Sequence, residues 1–70
     1  MNIDWLSHIS TDPKILFGKP VIKNTRIPVD LILEKLAAGD KSEDLLEAYP
    51  VLTKDDIISC LLFGAEMRKR

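Results

Sequence analysis

The stretch Gly18-Lys19-Pro20-Val21-Ile22-Lys23-Asn24-Thr25-Arg26-Ile27-Pro28-Val29 constrains this chain more than any other. Two short β-branched runs, Val21-Ile22 and Ile27 to Val29, flank a polar centre at Lys23 to Arg26. That layout predicts a tight β-hairpin, with Asn24 the residue best suited to a positive φ in its turn. Pro20 and Pro28 bracket the run, and neither can donate a backbone hydrogen bond, so both limit the pairing. Pro28 also presets φ for a first helical position, so a helix should follow at once.

The chain has 70 residues, which makes one small domain. A chain this short removes only about 60% of its unfolded surface from water, so its core is thin. Cys60 is the sole cysteine, and an unpaired thiol suits a reducing compartment. With 46% apolar residues but only four aromatics, the chain is globular yet short of large core anchors. A partner, whether a second copy, another protein or both, is expected to complete its stability. No apolar run approaches the ~20 residues of a membrane span. The start, Met1-Asn2-Ile3-Asp4, lacks the basic region and cleavage site of a signal peptide, so the expected location is the cytoplasm.

Net charge is only −1, which argues against a general nucleic-acid binder. Its distribution is more informative. Residues 13–29 carry Lys14, Lys19, Lys23 and Arg26 and no carboxylate. Residues 40–56 hold Asp40, Glu43, Asp44, Glu47, Asp55 and Asp56 against Lys41 and Lys54. Arg68-Lys69-Arg70 then closes the chain with a basic tail.

Before the hairpin, Met1 to Ser10 permits a short strand or an irregular arm. Trp5, so near the start, must dock either on its own helices or on a neighbouring copy. Ser10-Thr11-Asp12-Pro13 reads as a cap followed by one helical turn, Pro13 to Phe17, ended by Gly18.

After the hairpin, the spacing predicts three helices. The first runs from about Pro28 to Ala38, with Val29, Ile32, Leu33, Leu36 and Ala37 in one apolar stripe. Asp30 suits its first turn and Gly39 its left-handed C-terminal end. The second runs from about Ser42, its cap, to Ala48, and Pro50 stops it. The third is capped by Thr53, with Asp56 three residues on in a capping box, and extends to about Met67. Its Ile57, Leu61 and Ala65 form a stripe that Ile58, Leu62, Phe63 and Met67 widen beyond one face. A helix apolar on more than one side needs covering from more than one side. Trp5, Leu62, Phe63 and Met67, with Arg68, Lys69 and Arg70, are therefore the candidate partner-binding residues.

The inventory for catalysis is poor. His8 has no second ligand at metal spacing, Cys60 sits between apolar helix residues, and Asp55 and Asp56 are explained by helix-start electrostatics. No catalytic, metal or cofactor site is expected, and the chain is not expected to be an enzyme. The second and third helices, joined by Tyr49-Pro50-Val51-Leu52-Thr53, have helix-turn-helix spacing. The third helix, however, starts with Lys54-Asp55-Asp56, and carboxylates there repel a phosphate backbone. If DNA is bound, Lys19, Lys23 and Arg26 are the better candidates, although Arg26 is also near enough in sequence to pair with Asp30 or Glu34.

Asp12-Pro13, Gly18-Lys19-Pro20-Val21-Ile22 and Thr25-Arg26-Ile27-Pro28-Val29, followed by Leu36-Ala37-Ala38-Gly39, Tyr49-Pro50 and Leu52-Thr53, resemble the small bacterial domain-of-unknown-function family 433. The resemblance spans about residues 9–66, with Asn24 where the family usually has glycine. It implies a mainly α fold: a three-helix, homeodomain-like helix-turn-helix core over 28–67, preceded by an arm and short hairpin over 1–27 and followed by the basic tail 68–70. It also implies a VapB-type antitoxin that neutralises a PIN-like ribonuclease by binding it, and that can repress its own operon. The alternative is a homodimeric DNA-binding regulator without a toxin partner. No site residue is carried over from the family.

Overall fold

The computed structural model describes residues 3–68, with the backbone only for Arg68. A short 3-10 turn, Trp5–His8, leads into strand β1 (Ile9–Ser10). A second 3-10 turn, Leu16–Gly18, precedes strand β2 (Val21–Ile22), and helices α1 (Val29–Ala37), α2 (Ser42–Ala48) and α3 (Lys54–Arg68) follow. The chain is thus mainly helical, with three helices after a small antiparallel β element, as expected.

The Gly18–Val29 stretch folds back on itself. The Ile22 N–H donates to the Ile27 carbonyl at 2.9 Å, and the Thr25 N–H to the Ile22 carbonyl at 3.0 Å. Asn24 takes φ 64° at the bend. Thr25 locks the turn, because its hydroxyl donates to the Ile22 carbonyl and accepts the Ile27 N–H. The ladder itself is formed differently from the expectation. Strand β2 pairs antiparallel with β1, Ile9 opposite Ile22 and Ser10 opposite Val21, while the Ile27–Val29 side contributes a single bridge between Val21 and Pro28. Pro28 occupies a non-hydrogen-bonded position there, where its missing N–H costs nothing. The side ends with the Val29 N–H on the Pro20 carbonyl at 3.0 Å, where α1 begins. Pro28 also serves as the N-cap of α1, at φ −67°.

The segment before β2 is not the helical turn read from Pro13 to Phe17. Asp12 instead closes a local turn, its carboxylate accepting the Lys14 N–H at 2.9 Å and its carbonyl the Ile15 N–H at 2.8 Å. Leu16, Phe17 and Gly18 then all have positive φ, at 48°, 58° and 82°. Five residues cannot offset the cost of starting a helix, and the chain reverses in a left-handed turn. For Leu16 and Phe17 that conformation costs about 1–2 kcal/mol each.

Helix α1 ends in a Schellman arrangement. The Gly39 N–H donates to Leu36 and the Asp40 N–H to Lys35, with Gly39 at φ 106°. The start of α2 differs from the sequence reading: Lys41, not Ser42, holds the capping position. Asp44 reaches back to accept the Lys41 N–H at 2.8 Å, which leaves Ser42 inside the helix. At α3 the expected reciprocal cap forms. The Thr53 N–H donates to Asp56 at 3.0 Å and the Asp56 N–H to the Thr53 hydroxyl at 3.2 Å.

The core gathers Ile22 from β2, Val29 and Ile32 from α1, Leu45 from α2, Leu52 from the connection, and Ile57 and Cys60 from α3. On α3 the inward row is Ile57, Cys60 and Gly64; Leu61 and Ala65, read as continuing the Ile57 stripe, face outward. Gly64 lets α1 approach closely, since a Cβ there would stand 3.3 Å from the Leu33 Cδ1.

Candidate functional surfaces

The described residues enclose no pocket, so the candidate sites are open faces. The first lies on α3. Ile58, Leu61, Leu62 and Ala65 are spaced i, i+3, i+4 and i+7, which places them on one side of a helix. Leu61 is 49% and Leu62 39% exposed, Ala65 is exposed, and Ile58 is half-buried. This row faces away from Cys60, which is fully buried. The apolar width that marked α3 in the sequence is therefore a real outward surface.

The residues expected to bind a partner do not form one patch. Leu62 belongs to the outer row. Phe63 is half-buried against the core and meets Trp5 edge to face, ring centres 5.7 Å apart and planes at 76°. Trp5 thus docks on α3 of its own chain, one of the two placements read from the sequence. Met67, 51% exposed, sits one turn beyond Phe63 on the side of the Trp5 arm. The expectation for the Arg68 side chain, Lys69 and Arg70 lies outside the described residues.

The second surface is the basic turn. Lys19, Lys23 and Arg26 are all exposed. Among the described residues Arg26 pairs with neither Asp30 nor Glu34. The Lys23 N–H donates to the His8 carbonyl at 2.9 Å, so this turn is tied to the N-terminal arm.

The third feature, unforeseen from the sequence, joins that arm to α3. The His8 Nδ1 lies 2.8 Å from the Asp56 Oδ1, while the other oxygen of Asp56 accepts the Thr53 N–H. The sequence assigns Asp56 a capping-box and helix-start role. Asp56 also fixes residue 8 across 48 positions of chain, and no local spacing could have signalled that. One turn along α3, burial and the nearby Asp56 charge push the Cys60 thiol up to about 12. A thiol so placed stays protonated and unreactive at neutral pH, which fits its reading as a core residue. No cluster of three or more metal-ligating side chains occurs among the described residues, and none of their helices is long and apolar enough to cross a membrane.

Comparison with known proteins places this architecture. Residues 9–63 match a family model described as protein of unknown function (DUF433). The chain is 41% identical over 49 residues to the uncharacterized protein y4eO of Sinorhizobium fredii (strain NBRC 101917 / NGR234), which covers 70% of this chain and 22% of that protein. Among solved structures it resembles a DUF433 member from Anabaena variabilis ATCC 29413, with TM-score 0.83 and 29% identity. That match covers 89% of this chain and 61% of the other. The chain thus spans about a fifth of the one relative and under two thirds of the other.

Proposed function

The chain belongs to the DUF433 family, and on that premise we propose that it is a binding module, an antitoxin-like protein that neutralises a PIN-like ribonuclease by direct contact. The observation that carries this reading is the outward apolar row of α3, with Leu61 and Leu62 exposed opposite the core. Such a row is stabilised by burial against another protein, at roughly 25 cal/mol per Å² of apolar surface covered. The basic tail Arg68-Lys69-Arg70 follows that row in sequence. Its cations would reach toward the acidic, metal-binding centre of the nuclease and compete with the metal ion there. The protein acts in the cytoplasm as a homodimer or higher oligomer and represses its own operon when bound to operator DNA.

Co-expression with a PIN-like ribonuclease encoded beside it, followed by affinity capture and a growth assay, tests the reading. Capture and restored growth are expected for the native chain. Both should be lost in Leu61→Glu/Leu62→Glu, which exchanges exposed side chains and leaves the fold in place. Absence of capture together with absence of growth rescue by the native chain would refute the proposal.

The exposed Lys19, Lys23 and Arg26 support a second reading, a homodimeric regulator that grips duplex operator DNA through the basic turn without a toxin partner. Each phosphate contact adds to the salt dependence of binding, so Lys23→Ala/Arg26→Ala should flatten the slope of log K against log salt by about 1.8. An unchanged slope in gel-shift titrations would exclude this turn as the contact.

A further inference from the structure

Phe17 is 98% exposed, a large ring that adds nothing to a core short of aromatic side chains. It is held there by a left-handed turn over Leu16, Phe17 and Gly18, although only the last is glycine. The turn is closed by the Gly18 N–H on the Ile15 carbonyl at 3.0 Å and the Lys19 N–H on the Leu16 carbonyl at 3.2 Å. Lys14 and Lys19, both exposed, border it. Pro13 passes beside Gly18, where a Cβ would stand 3.9 Å from the Pro13 Cα. Strained backbone that presents an exposed ring, with a cation on either side of it in sequence, is a feature that folding alone does not explain.

We infer that this turn is a stacking site for unpaired nucleotides, with Phe17 laid against a base and Lys14 and Lys19 meeting the flanking phosphates. Charge selects the ligand: residues 13–29 hold four cations and no carboxylate in a chain whose net charge is −1, and the one carboxylate at the edge of the turn, Asp12, is engaged by the Lys14 N–H. The ring selects further, because every base offers a π face and stacking on an aromatic side chain is insensitive to sequence. A duplex fits less well. A wedge must first unstack a base step, a cost recovered only by wrapping much more protein surface than one turn offers. An anionic membrane fits less well too, since even a whole acyl chain anchors only marginally. The inference does not depend on a partner protein. It shares Lys19 with the operator reading but differs from it in the strand state of the ligand.

Fluorescence anisotropy with the full chain and labelled oligothymidylate or oligouridylate of about twelve nucleotides tests it, the two arms separating DNA from RNA. Phe17→Ala should weaken binding about 5- to 150-fold, the range of ~1–3 kcal/mol per stacked base, without changing the salt slope. Lys14→Ala/Lys19→Ala should instead flatten that slope by about 1.4. Phe17→Leu, which keeps apolar bulk but loses the ring face, should fall with Phe17→Ala, whereas Phe17→Trp should bind as tightly as the native chain. Circular dichroism of each variant separates lost binding from lost fold. The inference is overturned if neither oligonucleotide binds, if Phe17→Leu binds like the native chain, or if only phosphatidylcholine–phosphatidylserine vesicles bind. Duplex binding that needs Lys23 and Arg26 but not Phe17 would also overturn it, while leaving the operator reading standing.

Discussion

At the scale of single residues, most of the strain and most of the economy of this chain sit in a few positions. Gly39, at φ 106°, occupies backbone that side chains rarely enter, and it closes α1 through two hydrogen bonds. Gly39→Ala should therefore lower stability by about 1–2 kcal/mol in urea titrations, although no neighbouring atom would touch the new methyl. Cys60 sets the one pH dependence with a clear sign. Its thiol titrates near 9 when free and is pushed up to about 12 by burial and then by the Asp56 charge. The folded state therefore holds its proton more tightly than the unfolded state. The contribution is whole below pH 9 and is lost progressively as pH rises toward 12. Chemical denaturation between pH 8 and pH 11 should show the native chain losing its advantage over Cys60→Ala as pH rises, while a thiol reagent at neutral pH should not label the folded protein.

At the scale of elements, the sequence was legible where one face is apolar and the other polar. The periodicity of α1 places Val29 and Ile32 inward, and both are fully buried; its bounds agree with the expectation to within a residue. Helix α3 gave no such phase. Apolar residues on every side of it support an inward row of Ile57-Leu61-Ala65 as readily as the observed Ile57-Cys60-Gly64. Only the surrounding elements decide between them, and α1 decides through Leu33 against Gly64. Adding a methyl at position 64 asks only the far end of a flexible leucine to yield a few tenths of an ångström. Gly64→Ala should then gain up to about 1 kcal/mol from helix propensity, while Gly64→Val should lose about 1–3 kcal/mol to crowding. Thermal melts of the pair would check the difference in sign. The ladder partner of β2 was illegible for another reason. Two-residue strands carry too little alternation to specify register, and Ile9-Ser10 lies across a loop from Val21-Ile22.

At the scale of the whole molecule, whose radius of gyration is 11.5 Å, the N-terminal arm acts as a clasp over the helices. Trp5 meets Phe63, His8 meets Asp56, and Ile9-Ser10 pairs with β2. None of these is local in sequence, which is why the arm could be read only as a strand or an irregular segment. A double-mutant cycle of His8→Ala and Asp56→Asn should give a coupling of about 1 kcal/mol. If the hydrogen bond does not hold in solution, the two changes will simply add. Trp5→Ala should cost more than the ring contact of about 0.5–1.5 kcal/mol, because it loosens everything the arm fastens.

The pairing of Ile9-Ser10 with Val21-Ile22 also has a colloidal side. Take the arm away and the outer edge of β2 is left bare, the Val21 backbone without Ser10 and the Lys23 N–H without the His8 carbonyl, beside the greasy Val21 and Ile22 side chains that are now buried. Such an edge recruits strands from other molecules. Residues 3–10 therefore guard solubility as well as shape, and a chain without them would cloud its solution before it lost its helices.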